Sequence, residues 1–142
     1  MSSIPIDIPA SFVPAVAISV GQPGSEARFV DAANPMPVRL AHGATPAPLA
    51  GTASASTQVG PFLPELDRPI HLSLSGSWTG RVRLLRSTDG GATREPLTLA
   101  GAAWASFTAN ANEVVAEESV AGASYYLDLA ITAGTIAYRV AQ

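Results

Sequence analysis

The residues able to do chemistry are few: the chain has two histidines, His42 and His71, three tyrosines, 11 acids and no cysteine. Without cysteine there are no disulfides, thiolate metal sites or cysteine nucleophiles. A Ser73, His71 and Asp67 set can be drawn within one short stretch. Residues of a single strand, however, cannot set a nucleophile, a base and an orienting group around one substrate atom. Glu117, Glu118, Asp128, Asp89 and Glu95 are the carboxylates from which a glycosidase pair could come. Adjacent Glu117 and Glu118 point to opposite faces of a strand and so would not flank one bond. They are expected to form a charged edge that discourages sheet-to-sheet aggregation. Tyr125, Tyr126 and Tyr138 stand in strand contexts without an activating partner nearby. No His-x-His or His-x-x-x-His spacing occurs, and "DGG" (89–91) lacks the spaced oxygens of a calcium loop. "STDGGAT" (87–93) has neither the lysine nor the following helix of a phosphate-binding loop. The expectation is a chain with no enzymatic activity, no cofactor and no metal.

Surface chemistry offers more. Trp78 lies in "GSWTG", which reads as a turn, and Arg81 and Arg83 share one face of the following strand by the period of two. These three are the candidate exposed-surface contacts. Trp104 is ambiguous, and with only nine aromatics to fill a core both tryptophans read first as core or interface. All eight basic residues are arginine and the formal net charge is -3, so no basic surface for nucleic acid is expected. Arginine without lysine suits fixed, planar contacts.

The elements that must position these residues are strands. With 142 residues, 47% of them hydrophobic and 13% charged, the chain can build one ordinary packed domain. Three regions differ. Residues 1–40 alternate short runs such as "IPIDI", "AVAISV" and "MPVRL" with Pro and Gly, which predicts an extended arm with short edge strands. Residues 41–60 are Ala, Ser, Thr, Gly and Pro without a charged residue, which predicts a linker or a loop ordered only by a partner. Residues 61–142 predict an antiparallel β-sandwich or barrel-like domain, so the fold class is all-β. Ile70, Leu72 and Leu74 alternate with His71, Ser73 and Ser75; Val82 and Leu84 continue inward; Leu97 and Leu99 share a face. "NEVVAEE" fits a strand, with a helical turn as the alternative. Two last strands, 124–132 and 135–141, are expected around a tight Ala133-Gly134 turn. The first 21 residues have no basic n-region, carry Asp7 and are broken by Pro5, Pro9 and Pro14. They predict neither a signal peptide nor a membrane span, and synthesis in the cytoplasm.

Ser87, Asp89, Gly91 and Thr93 fit most of the Ser-x-Asp-x-Gly-x-Thr-Trp pattern of the Asp-box, which recurs in sialidases and other β-propellers. Arg94 stands where that pattern has Trp, a single copy is present, and blades of roughly 40–50 residues would allow at most about three. What remains is a hairpin turn formed by Asp89, Gly90 and Gly91, with positive φ at the glycines and Asp89 bonding the turn backbone.

Gly80 to Val82, Arg86 to Gly91, Glu117 with Glu118, Ala121 to Leu127, and Gly134 to Gln142 together resemble a small β-domain of tailed-bacteriophage structural proteins. "NPMPV" (34–38) resembles the Asn-Pro-Leu-Pro-Val segments of phage head and tail proteins. The resemblance implies a virion component on the capsid exterior, a decoration or cement protein that binds the major capsid protein and stabilises the head. It implies a homo-oligomer, with a trimer favoured, and an arm laid across capsid subunits, with Phe12, Val13, Phe29, Met36, Pro37, Val38 and Arg39 as candidate partner contacts. No nucleic acid or membrane partner is expected. The alternative is a tail-fibre or receptor-binding module that holds a glycan.

Overall fold

The computed structural model describes residues 43–142 continuously, together with residues 19–20, 28–33, 35, 36 and 38. The chain divides into two compact units, Met1–Ala41 and His42–Gln142. In the first, β1 (Ser19–Val20) pairs antiparallel with β2 (Arg28–Phe29). Met36 and Val38 are exposed, at 49% and 72%. Of the candidate arm contacts, Phe12, Val13, Pro37 and Arg39 lie outside the described residues, and of Phe29 only the backbone is described. Most of the expected extended arm likewise lies outside them.

The second unit is an all-β, antiparallel sandwich. Its strands are β3 (Leu49–Ala53), β4 (Thr57–Phe62), β5 (Pro69–Ser87), β6 (Glu95–Pro96), β7 (Thr98–Leu99), β8 (Ala102–Ala103), β9 (Ser106–Phe107), β10 (Ala111–Glu117) and β11 (Ser124–Ala141). The 19-residue β5 and the 18-residue β11 pair with one another from end to end, Ser87 against Ser124 and His71 against Ala141. A straight strand of that length would span about 60 Å. The core nevertheless unites Ile70, Leu72 and Leu74 from one half of β5 with Val82 and Leu84 from the other. The ribbon is therefore doubled over on itself, and each half forms one layer. One layer runs β10-β5-β11-β3; the other has β5 and β11 at its centre, β6 and β9 on one side and β4 on the other.

The fold-over lies between Gly76 and Gly80 on β5 and around Thr132 to Gly134 on β11. The sequence reading of two turns there is corrected: the chain passes through both segments without reversing. Gly80 has φ +139°, and a Cβ placed on it would lie 2.1 Å from the Ala130 carbonyl oxygen. The paired strands cross at the bend with backbone against backbone, so only glycine fits. On β11 a bulge between Ile131 and Ala133 inserts one residue. The inward set thereby changes from Tyr125, Leu127, Leu129 and Ile131 to Ile136, Tyr138 and Val140, which keeps apolar side chains in the core on both sides of the bend.

The linker expected over residues 41–60 is also corrected, because β3 and the first part of β4 lie within residues 49–60 and pair with the two halves of β11. The signal was hidden because the strands are built from small residues. Tyr138 lies across β3 so closely that a Cβ on Gly51 would meet its hydroxyl at 2.6 Å. β10 is a strand, as the sequence predicts, with a bulge between Val114 and Ala116. Leu97 packs against the core, whereas Leu99 is 63% exposed on the small β7-β8 ladder, so the two do not share a buried face.

Gly80→Ala is expected to remove about 2 kcal/mol or more of stability, because the added methyl meets backbone that cannot move without breaking the β5-β11 pairing. Thermal unfolding followed by circular dichroism should show a melting temperature lower by about 5–10 °C.

Candidate functional site

The largest polar constellation closes one end of the core. Register pairs Arg86 with Tyr125, so both side chains enter the sandwich from the same side of the ribbon. Glu118, just past the end of β10, meets them there with its side chain only 3% exposed. Arg86 donates from Nε to Oε2 at 2.7 Å and from Nη2 to Oε1 at 2.8 Å, a two-pronged match of guanidinium to carboxylate. The Tyr125 hydroxyl donates to Oε2 at 2.9 Å, and the amides of Ser119 and Val120 donate to Oε1 at 3.0 and 2.8 Å. The Glu118 carbonyl accepts from the Asp67 amide at 2.8 Å, which ties the β4-β5 connection to the same point.

The Arg86 hydrogen bonds, opposed by burial and helped by the Val120 amide and Tyr125, hold the Glu118 carboxyl at about 2. Burial, and then the bond to Glu118, push the Tyr125 phenol well above its ordinary range. Glu118 also raises Arg86. Both oxygens of this carboxylate are occupied by donors from the chain itself, and together these bonds tie the end of the sandwich. The sequence reading of Glu118 as part of an exposed charged edge is corrected. Glu117 is exposed and Glu118 is buried, and nothing in "AEES" separates the two.

Beside this cap sits the turn. Asp89 Oδ1 accepts from Ser87 Oγ at 2.8 Å, Thr93 donates to the carboxylate from its amide at 2.9 Å and from Oγ1 at 2.6 Å, and the Gly91 amide donates to Ser87 Oγ at 2.8 Å. The Thr93 bonds, with Ser87, hold the exposed Asp89 carboxyl far below the usual carboxylate range. The flanking strands pair as the hairpin requires, Arg86 with Glu95 and Leu85 with Pro96. The loop is docked as well as closed. Arg94 lies 4.0 Å from the centre of the Tyr126 ring, bonds Gln58 on β4, and donates from Nε to the Gly91 carbonyl at 3.1 Å.

The candidate exposed-surface set does not converge. Trp78 is half-buried against the core, its indole N–H donating to Asn110 Oδ1 at 2.8 Å, so it is no open platform. Arg83 faces outward and is held by Asp128 through two bonds of 3.1 and 2.7 Å. Arg81, exposed on that face, makes no ion pair among the described residues. The exposed tryptophan is Trp104, at 42%, which the sequence left ambiguous. Its indole N–H donates to the Val115 carbonyl at 2.7 Å. Beside it a cleft of about 160 Å³ opens between β9 and β10, reached by Phe107, Glu113 and Val115. His71 and Ser73 lie on the outer face of the first layer, where Ser73 bonds Asn112, and Asp67 belongs to the cap, so no triad forms. Comparison of the chain with family models, curated proteins and solved structures finds no match.

Glu118 has a folded pKa below its unfolded value, so its contribution is complete above the unfolded value of about 4.5 and is lost as pH falls toward about 2. Urea midpoints should be flat above about pH 6 and fall between about pH 5 and 2; Glu118→Gln should reduce that fall by the equivalent of roughly 3 kcal/mol, and the slope that remains belongs to Asp89, whose carboxyl is also held low.

A Cβ on Gly91, at φ +90°, would lie 2.3 Å from the Tyr126 hydroxyl, whereas one on Gly90, at φ +72°, meets nothing within 4 Å. Gly91→Val should therefore lower the melting temperature by several degrees while Gly90→Asn, a residue that tolerates positive φ, leaves it within about 2 °C.

Proposed function

We propose that this chain is a phage virion structural protein that decorates the capsid exterior, binds the major capsid protein and stabilises the head. The observation that carries the reading is a run of exposed apolar side chains in the first unit, whereas the second unit builds its own core, although it too exposes Leu63, Leu99 and Val114. Residues 42–142 complete their own core and lock its end with Arg86, Glu118 and Tyr125. The preceding unit leaves Val30, Met36 and Val38 exposed at 37%, 49% and 72%. Apolar side chains of that size, close together in sequence, are suited to burial on a partner. A proline-rich segment loses less entropy on docking than a flexible one. The bacteriophage resemblance runs through the parts that build the module: Gly80 to Val82 at the bend, Arg86 to Gly91 at cap and turn, and Gly134 to Gln142 at the end of β11. The alternative, a tail-fibre module holding a glycan on Trp78, Arg81 and Arg83, has less support because Trp78 and Arg83 are already engaged within the chain.

Heads purified without this protein give the test. The full chain should cosediment with them to saturation and raise their resistance to heat. A fragment of residues 42–142 should show its own cooperative melting transition and fail to bind. Equal occupancy by the fragment, or no binding by the full chain, would contradict the proposal.

A further inference from the structure

We propose that the cleft between β9 and β10 receives the Arg139 side chain of a second copy of this chain, with the guanidinium held between the Trp104 ring and the Glu113 carboxylate. The cleft is a built feature of the sandwich. β10 is the edge of one layer and β9 the edge of the other, and Trp104 bridges the gap by donating its indole N–H to the Val115 carbonyl at 2.7 Å. That bond fixes the indole and uses its only donor, so what the ring still offers is its π-surface. Register places Glu113 opposite Leu72, on the inner side of β10, where it reaches the cleft. Its carboxylate makes no ion pair or hydrogen bond among the described residues. An aromatic surface beside an uncompensated carboxylate favours a planar cation with an aliphatic stem, which is an arginine side chain.

The same chain carries a matching cation. Among the described residues Arg68, Arg83 and Arg86 are paired with acids and Arg94 is engaged by Tyr126 and Gln58. Of the arginines whose side chains are described, Arg81 and Arg139 remain. Arg81 shares its outer face with the carboxylate of Asp128, whereas Arg139 lies on the outer face of the first layer among the cross-strand neighbours Ser73, Asn112 and Ala50. All three are small and uncharged, so a guanidinium at this position projects from a low surface that a neighbour can approach closely. The cleft and Arg139 belong to different faces, so the contact joins unlike patches and repeats head to tail until a ring closes. It rests on the proposed function and supplies a contact for the homo-oligomer that the bacteriophage resemblance implies. Measured on the free chain, it can fail while shell binding stands.

Sedimentation equilibrium of the full chain should show an oligomer that weakens with salt. Glu113→Gln and Arg139→Gln should each weaken association about ten-fold or more while leaving the melting temperature unchanged. Mixing the two variants should yield a heterodimer, because one retains the cleft and the other the arginine. A chain that stays monomeric up to millimolar concentration, or association indifferent to both substitutions, overturns the proposal. If the Trp78→Phe chain, with Arg139 intact, stays monomeric up to millimolar concentration while arginine amide quenches its Trp104 emission, the cleft takes its cation from another protein and the second-copy assignment is wrong.

Discussion

The unbroken pairing of β5 with β11 constrains everything else in the folded unit. Two strands hydrogen-bonded along their whole length form a ribbon too long for a small sandwich, so the ribbon must double over without releasing its ladder. At the fold-over the backbones approach until a Cβ on Gly80 would press on the Ala130 carbonyl and one on Gly134 on the Ser77 carbonyl. The reversal of facing caused by the bulge at Thr132 belongs to the same solution. Without it, Ile136 and Val140 would face water, and Ala137 and the charged Arg139 would face the core.

Once the ribbon is folded, its open end needs closing, and the Glu118 cap does this with charge. Burying a carboxylate is tolerable only when its hydrogen bonds are satisfied, and five donors converge on this one. The cap joins segments distant in sequence: β5 through Arg86, β11 through Tyr125, the β10-β11 connection through Glu118 and the β4-β5 connection through Asp67. The neighbouring turn is anchored to the outer side of the same strands by Arg94 over Tyr126. The two sides of one end of the ribbon are thereby held by different chemistry, an ion pair within and a cation over a ring without.

Much of the fold was legible because period-two alternation is local. Ile70, Leu72 and Leu74, then Val82 and Leu84, announce inward positions whatever lies opposite, and all five are buried. The turn was legible for a similar reason, since Ser87, Asp89, Gly91 and Thr93 bond to one another within seven residues. The strands within residues 49–60 were not legible, because Ala, Gly, Ser and Thr give no hydrophobic period; what makes them strands is an available β11 edge. Gly76, Gly80 and Gly134 announce unusual backbone, but a turn and a bend within a paired strand use the same residue. The candidate site fared worst. Trp78 and Trp104 differ in exposure because Trp78 packs on the core beside Asn110, while Trp104 spans the gap between two layer edges.

The sequence by itself determined the class of structure, the inward sets of the long strands and the closed turn at Asp89, all consequences of interactions between residues near in the chain. Tertiary structure alone decided that two apparent hairpins are one folded ribbon, that an apparent linker is two strands, and that Glu118 is buried while Glu117 is not. Each of these depends on a partner tens of residues away: Ala130 for Gly80, Tyr138 for Gly51, Arg86 for Glu118. A backbone's direction or a carboxylate's environment is set by what packs against it, and that neighbour exists only once the distant segments have met.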